Sequence, residues 1–238
     1  MSISYGQFCP IAKAAEVLGE RWTILIIREL LLGTSRFSDF QRALSQISPT
    51  LLTKRLNQLV DDELVVKKST GGKGRTDYYL TPAGRELEPI VIGLGEWGMR
   101  WARGQMSDDE LDVELLMYDL QRRLDDTQMP GGRNVIRFSF HGLQKFANWW
   151  IVVDEGEKEL CVESPEGEEN LAVVTSVRTM AEIWAGDTDY TKAKREGRLA
   201  LKGCPILSRS IGNWLRGSIL AHVRPAEKPA ASAVSGIS

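Results

Sequence analysis

The segment of this sequence with the clearest chemistry is a run of small hydrogen-bonding side chains. Ser48, Thr50, Thr53, Lys54 and Asn57 fall within one short segment. Steps of three and four place Thr50, Lys54 and Asn57 on one side of a helix. Hydroxyls, an amide and an ammonium can hydrogen-bond to the edges of nucleic-acid bases, and the major groove admits one α-helix. Arg36 precedes this segment, and Lys73 and Arg75 follow it in a glycine-rich stretch. Cations so placed suit phosphate oxygens, which position a protein on a duplex without reading its sequence. The plainer reading is a solvated helix face with soluble flanks.

Chemistry is sparser elsewhere. His141, Asp154, Glu163 and Asp187 could move protons, but their spacing shows no recognisable pairing. No phosphate-binding loop, nucleophile elbow, zinc-protease helix or dinucleotide fingerprint occurs. The three cysteines, Cys9, Cys161 and Cys204, are far apart and odd in number, so neither a disulfide framework nor a zinc pair is expected. No metal, no cofactor and no enzymatic activity are expected. Cys9 stands before Pro10 at a helix start, where a thiol can become reactive, making it a candidate redox group. Packing is its plainer role. Phe138, Phe140, Trp149, Trp150, Trp184 and Trp214 crowd the rear of the chain. Such residues build ordinary cores, and they also line pockets for apolar ligands.

The elements that must position these groups follow from periodicity and punctuation. Helices are expected over 10–18, 21–32 and 36–44, then from Pro49, with Ser48 as its cap, to about Asp61. Leu52, Leu56, Leu59 and Val60 form the apolar face opposite the polar one. A strand over 64–68, a basic turn over 70–75 and a returning strand over 77–80 make a hairpin. Thr81 caps a helix over 82–104 that Pro89 should bend. Its Leu87, Val91, Leu94, Trp97 and Trp101 recur every three or four residues, as either a dimer face or intrachain core. Three helices, a hairpin and a further helix are the order of a winged helix-turn-helix.

An acidic helix over 107–126 is expected next, opened by a capping box of Ser107 and Glu110. A linker containing Pro130–Gly131–Gly132 follows. Strands are expected over 135–140, 148–154, 158–163 and 171–177 as an antiparallel meander, then helices over 178–185 and 190–196. A short strand over 198–202 and a last helix over 204–214 complete the order. The fold class is therefore α+β, with a winged helix-turn-helix domain over 1–104, an acidic helix and linker over 105–132, an antiparallel sheet covered by helices over 133–224, and a disordered tail over 225–238.

Composition agrees with two modules. The chain has 238 residues, 42% hydrophobic and 26% charged, ordinary for globular domains. The net charge of −2 hides a polarity: residues 1–104 carry 14 Lys/Arg and 11 Asp/Glu, whereas 105–238 carry 16 and 21. A net +3 front suits nucleic acid, and a net −5 rear is repelled by it. The longest greasy run, 24–32, is interrupted by Arg28 and Glu29. That falls short of the roughly 20 residues of a membrane span. With no secretion signal at the start, a cytoplasmic protein without membrane association is expected.

Two resemblances extend this reading. Cys9–Pro10, Gly19–Glu20–Arg21–Trp22–Thr23, Gly33 and Arg36–Phe37 are followed by Ile47–Ser48–Pro49, Leu52, Arg55–Leu56 and Leu59. Arg75, Tyr79–Leu80–Thr81–Pro82, Gly84, Leu87 and Trp97 complete the set. Residues 9–101 thereby resemble the HxlR family of bacterial transcription regulators, which have MarR-like winged helices. Glu63–Leu64 departs from the family's usual Gly–Leu, which puts the turn into the wing in doubt. The resemblance implies homodimers on inverted-repeat operators in double-stranded DNA, and in some members a redox switch at the cysteine before this proline. Residues 133–220 are similar to the sterol-carrier-type lipid-binding fold. The similarity rests on Trp149–Trp150, Leu160–Cys161 before Pro165–Glu166–Gly167, Arg178–Thr179, Trp184–Ala185–Gly186–Asp187, Gly197–Arg198–Leu199 and Lys202–Gly203. That implies a hydrophobic tunnel and an apolar effector. The alternative is a redox regulator acting through Cys9, with a rear domain that is only structural.

Overall fold

A computed structural model describes residues 4–69, 76–103 and 110–226. The chain divides into two compact units, Met1–Leu94 and Gly95–Ser238. The division lies ten residues ahead of the boundary expected at 104.

The first unit is a winged helix-turn-helix. Helices α1 (Pro10–Leu18), α2 (Thr23–Leu31), α3 (Phe37–Ala43) and α4 (Pro49–Asp61) precede strands β1 (Val65–Ser69) and β2 (Thr76–Leu80). The strands pair antiparallel, with Val65 opposite Leu80 and Ser69 opposite Thr76. Its core is aliphatic and aromatic: Ile26, Ile27, Phe40, Leu52, Leu56, Leu59 and Val65 are buried. Pro49 occupies the first turn of α4, and the Ser48 hydroxyl accepts from the Leu51 amide at 3.3 Å. Proline loses no bond there, because first-turn amides have no partner within the helix.

The Glu63 departure falls in the turn into the wing. Glu63 takes a φ of 58°, in the left-handed region that normally favours glycine. The Thr81 hydroxyl donates to its carbonyl at 2.8 Å, and that same oxygen caps α5 (Pro82–Arg85). A Cβ on Gly84 would lie 2.2 Å from the Leu64 carbonyl oxygen, so glycine alone lets α5 approach the chain leading into β1.

The long helix expected over 82–104 is instead three pieces. After α5 comes α6 (Glu88–Trp97), then a π-helical turn over Gly98–Ala102. Pro89 stands in the first turn of α6, where its missing amide costs nothing. It therefore opens a helix rather than bending one.

In the second unit the expected helix over 107–126 is shorter. Helix α7 (Val113–Arg123) is capped by Asp112, whose carboxylate accepts from Leu115 N at 3.0 Å. Glu110, expected in the first turn of this helix, precedes its cap instead, and Ser107, the expected cap, lies outside the described residues. Strands β3 (Asn134–Phe140), β4 (Asn148–Asp154), β5 (Glu157–Cys161) and β6 (Leu171–Thr175) are followed by α8 (Val177–Ala185) and α9 (Tyr190–Arg195). Strand β7 (Leu199–Gly203), α10 (Pro205–Arg209) and α11 (Ile211–Trp214) complete the order. The expected single helix over 204–214 breaks at Ser210, whose hydroxyl donates back to Ile206 O. The bend lets the buried Trp214 indole donate to Leu207 O at 3.0 Å.

The expected antiparallel meander is also corrected. Among the described residues the sheet order is β5-β4-β3-β6-β7, and β3 runs parallel to β6. Parallel neighbours need a crossover rather than a hairpin. The stretch 162–170, which contains the Pro–Glu–Gly turn, supplies it. Leu171, Ala172 and Val173 are all buried, as a central strand covered on both faces requires. Glu169, in the crossover, accepts from Arg137 Nε at 2.8 Å and Trp150 Nε1 at 3.0 Å, side chains of the sheet face away from the helices.

Candidate nucleic-acid interface

Helix α4 presents two chemically distinct faces. Leu52, Leu56 and Leu59 are sunk in the core, while Thr50, Thr53, Lys54 and Asn57 are exposed. Burial of three leucines locks the helix about its axis, since fully burying each is worth roughly 1.5–3 kcal/mol. Arg55 fixes its position further. Although nearly buried, Arg55 donates from Nε to Arg21 O at 3.1 Å, from one terminal nitrogen to Gln58 Oε1 at 3.1 Å, and from the other to Glu20 Oε2 at 2.5 Å. The guanidinium thus ties α4 to the turn between α1 and α2. In that turn Trp22 has a φ of 80°, and the Arg21 guanidinium lies 5.1 Å from its ring centre.

The exposed groups are not equally available. Ser48 accepts a helix-end amide, which leaves its hydroxyl proton to donate. Thr53 donates to Pro49 O at 2.9 Å, so its methyl and lone pairs are what it offers outward. Asn57 Oδ1 accepts from Lys67 Nζ, on β1, at 2.6 Å. Arg36 caps α3, and its backbone is bridged to Asp77 of β2, which puts it beside the wing. Lys73 and Arg75 lie outside the described residues. Lys67 and Lys68 were not among the expected contacts. Lys68 lies over the Tyr79 ring at 5.2 Å. Two adjacent lysines in a hairpin strand were the available signal, and only the register shows which one faces α4.

Cys9 caps α1 without a side-chain hydrogen bond and is half-buried. Around it lies exposed apolar surface. Phe8 is 100% and Ile11 79% exposed, and α1 buries none of its residues. The same holds for α6, where Ile90 and Leu94 are exposed. Its last residue, Trp97, is 61% exposed.

The six rear aromatic residues do not surround a common point. Phe138, Phe140, Trp149 and Trp214 belong to one packed core with Met117, Leu120 and Met180. Trp150 projects from the opposite sheet face, beside Val135 and Val152. That removes Trp150 from any single pocket shared with the other five. Trp184 borders the core and donates its indole N–H to Asp119. Burial opposes the charge of Asp119, but the guanidiniums of Arg123 and Arg122 and the indole bond outweigh it and hold the carboxyl below its ordinary range. The four proton-transfer candidates stay apart. His141 and Asp154 lie at opposite ends of the β3–β4 pair. Asp187 is paired with Arg103, and Glu163 lies in the crossover. Among the described residues, no cluster of His, Cys, Asp and Glu could hold a metal ion, and no helix is long and apolar enough to cross a membrane.

Residues 17–106 match the family model described as HxlR-like helix-turn-helix. YvaP of Bacillus subtilis (strain 168), an uncharacterised HTH-type transcriptional regulator, is 35% identical over 102 residues, 42% of this chain and 94% of its own. A second such regulator, sll1512 of Synechocystis sp. (strain ATCC 27184 / PCC 6803 / Kazusa), is 34% identical over 98 residues, covering 40% of this chain and 72% of its own. Among solved structures, the redox regulator HypR in its reduced form is 32% identical, with 38% of this chain and 90% of that chain covered and a TM-score of 0.36.

Proposed function

The chain belongs to the HxlR-like helix-turn-helix family of transcriptional regulators, and on that premise we propose that it works as a homodimer on inverted-repeat operator DNA. The observation that carries this reading is the exposed row Thr50, Lys54 and Asn57 on a helix whose other face is locked into the core. In this reading α4 enters the major groove, while Arg36, Lys68 and the wing tip with Lys73 and Arg75 meet phosphates. The apolar faces of α1 and α6 are covered by the second copy, whose two-fold axis sets the half-site spacing. The protein acts by binding, in the cytoplasm, with no reaction of its own.

Selection of bound sequences from a random pool is expected to return an inverted repeat. Affinity for it should fall linearly with salt on logarithmic axes, through counterion release. Thr50→Ala should relax preference at one base position per half-site, at a cost of about 1–3 kcal/mol. Lys54→Ala should do the same, or weaken all sequences alike if it meets a phosphate. Recovery of unrelated sequences, with no salt dependence, would end this reading.

The second unit is proposed to hold an apolar small molecule that favours one DNA-binding state over the other, since coupling requires differential affinity. The sterol-carrier resemblance of residues 133–220 supports this. Native mass spectrometry of the purified chain is expected to find a co-purified lipid whose removal changes operator affinity. A chain that stays empty and indifferent to added lipids would leave the second unit a structural module.

A further inference from the structure

We propose that Asn57 and Lys67 act together as one reader of guanine, a specificity assignment that rests on the DNA-binding reading above. An asparagine that reads a base usually recognises adenine, because it accepts from the adenine amine through Oδ1 while donating to N7 through its amide nitrogen. Here Lys67 Nζ lies 2.6 Å from Asn57 Oδ1. The ammonium takes one of the two lone pairs of that oxygen and puts a positive charge beside the other, where the adenine amine would have to donate. What the pair then presents is chiefly donors: two N–H groups on the amide and the two remaining hydrogens of the ammonium. In the major groove guanine answers that pattern, with O6 and N7 both acceptors, whereas adenine and cytosine each offer an amine that the pair repels.

Both residues are exposed, and Lys67 comes from β1 rather than from the reading helix. The base preference of α4 is therefore set in part by the register of the wing. Because β1 is paired along its length with β2, Lys67 cannot shift by one residue without turning to the other side of the hairpin.

The test uses the full chain and sites selected from a random pool. The wild type is expected to fix a guanine at one position in each half-site. Replacing that guanine by 7-deazaguanine, which removes the N7 acceptor but keeps the base pair, should weaken binding by about tenfold. Lys67→Met keeps the stem and removes the charge, which frees Asn57 Oδ1, so selection should shift from guanine to adenine at that position. If Lys67→Met weakens all sequences equally and retains guanine, Lys67 is a phosphate contact and the proposal is overturned. If the wild type selects no sequence at all, the DNA-binding reading fails first and takes this assignment with it. Asn57→Ala should remove the preference in both backgrounds, and persistence of guanine selection would also overturn the pairing.

Discussion

Arg55→Leu is expected to destabilise the first unit by about 2–4 kcal/mol, although Arg55 touches no base in the proposed complex. Its guanidinium carries three hydrogen bonds, and hydrogen bonds to charged groups are worth roughly 1.5–3 kcal/mol each. The Glu20 carboxylate remains about a quarter exposed and can rehydrate, which keeps the loss below that of a fully buried pair. In a unit of this size the melting temperature should fall by roughly 10–20 °C. Operator affinity should decline evenly across sequences, because the whole of α4 loses its anchor. Arg55→Lys should fall between the two, since an ammonium cannot reproduce the fork that reaches both Arg21 O and Glu20. Lys54→Ala, on the outer face, serves as the contrast, with altered DNA binding and an unchanged melt. Equal melting temperatures for Arg55→Leu and wild type would show that the anchor contributes little.

The second large effect is expected at Asp119. This carboxylate is 5% exposed and receives Arg122, Arg123 and the Trp184 indole. Asp119→Ala removes the acceptor shared by two half-buried guanidiniums, which can partly rehydrate, and by an indole N–H, and it should cost the second unit about 2–3 kcal/mol. The pH dependence has a definite sign. Because the folded carboxyl is held below its ordinary range, its contribution is complete above the unfolded value of about 3.9 and is lost as pH falls through the folded one. Asp119→Asn keeps an acceptor for the indole but cannot titrate. Its melting temperature should be lower than wild type at pH 7, and the difference should shrink below pH 4. Parallel melting curves across that range would refute the assignment.

How much of this was legible in the sequence depends on the range over which each decision is made. Ser48 and Pro49 fix the start of α4 locally, through a cap and a proline in the first turn, and both are read correctly from the chain. The polar and apolar faces of α4 follow from spacing alone. Pro89 shows the limit: a proline in an apolar stripe reads equally as a kink or a beginning, and the break at Glu86–Leu87 decides it. Asp112 is a residue type that caps helices, but so are several others in this stretch, and composition alone does not choose among them. The parallel β3–β6 pair joins Ile136 to Leu171, residues with two strands between them in the chain, and no local pattern reports that choice. Lys67 was missed for the same reason, since its role depends on which β1 side chains the hairpin turns toward α4. Arg55 was noticed only as part of a resemblance. An arginine between core leucines marks a buried charge, but its partners, 34 and 35 residues earlier, come from the fold.

The crossover in the second sheet has a consequence for the order in which the chain acquires its shape. In the wing, Val65 meets Leu80 across a short hairpin, so closing it requires little loop entropy. In the second unit the central strands β3 and β6 cannot join until β4, β5 and the whole of 162–170 have been laid down. Contacts that distant in sequence form slowly. As the chain leaves the ribosome from its N-terminus, the reading unit can be complete while the sheet that follows it still lacks β6, the parallel partner of β3. A nascent chain of this kind can meet DNA before the unit proposed to govern that meeting exists.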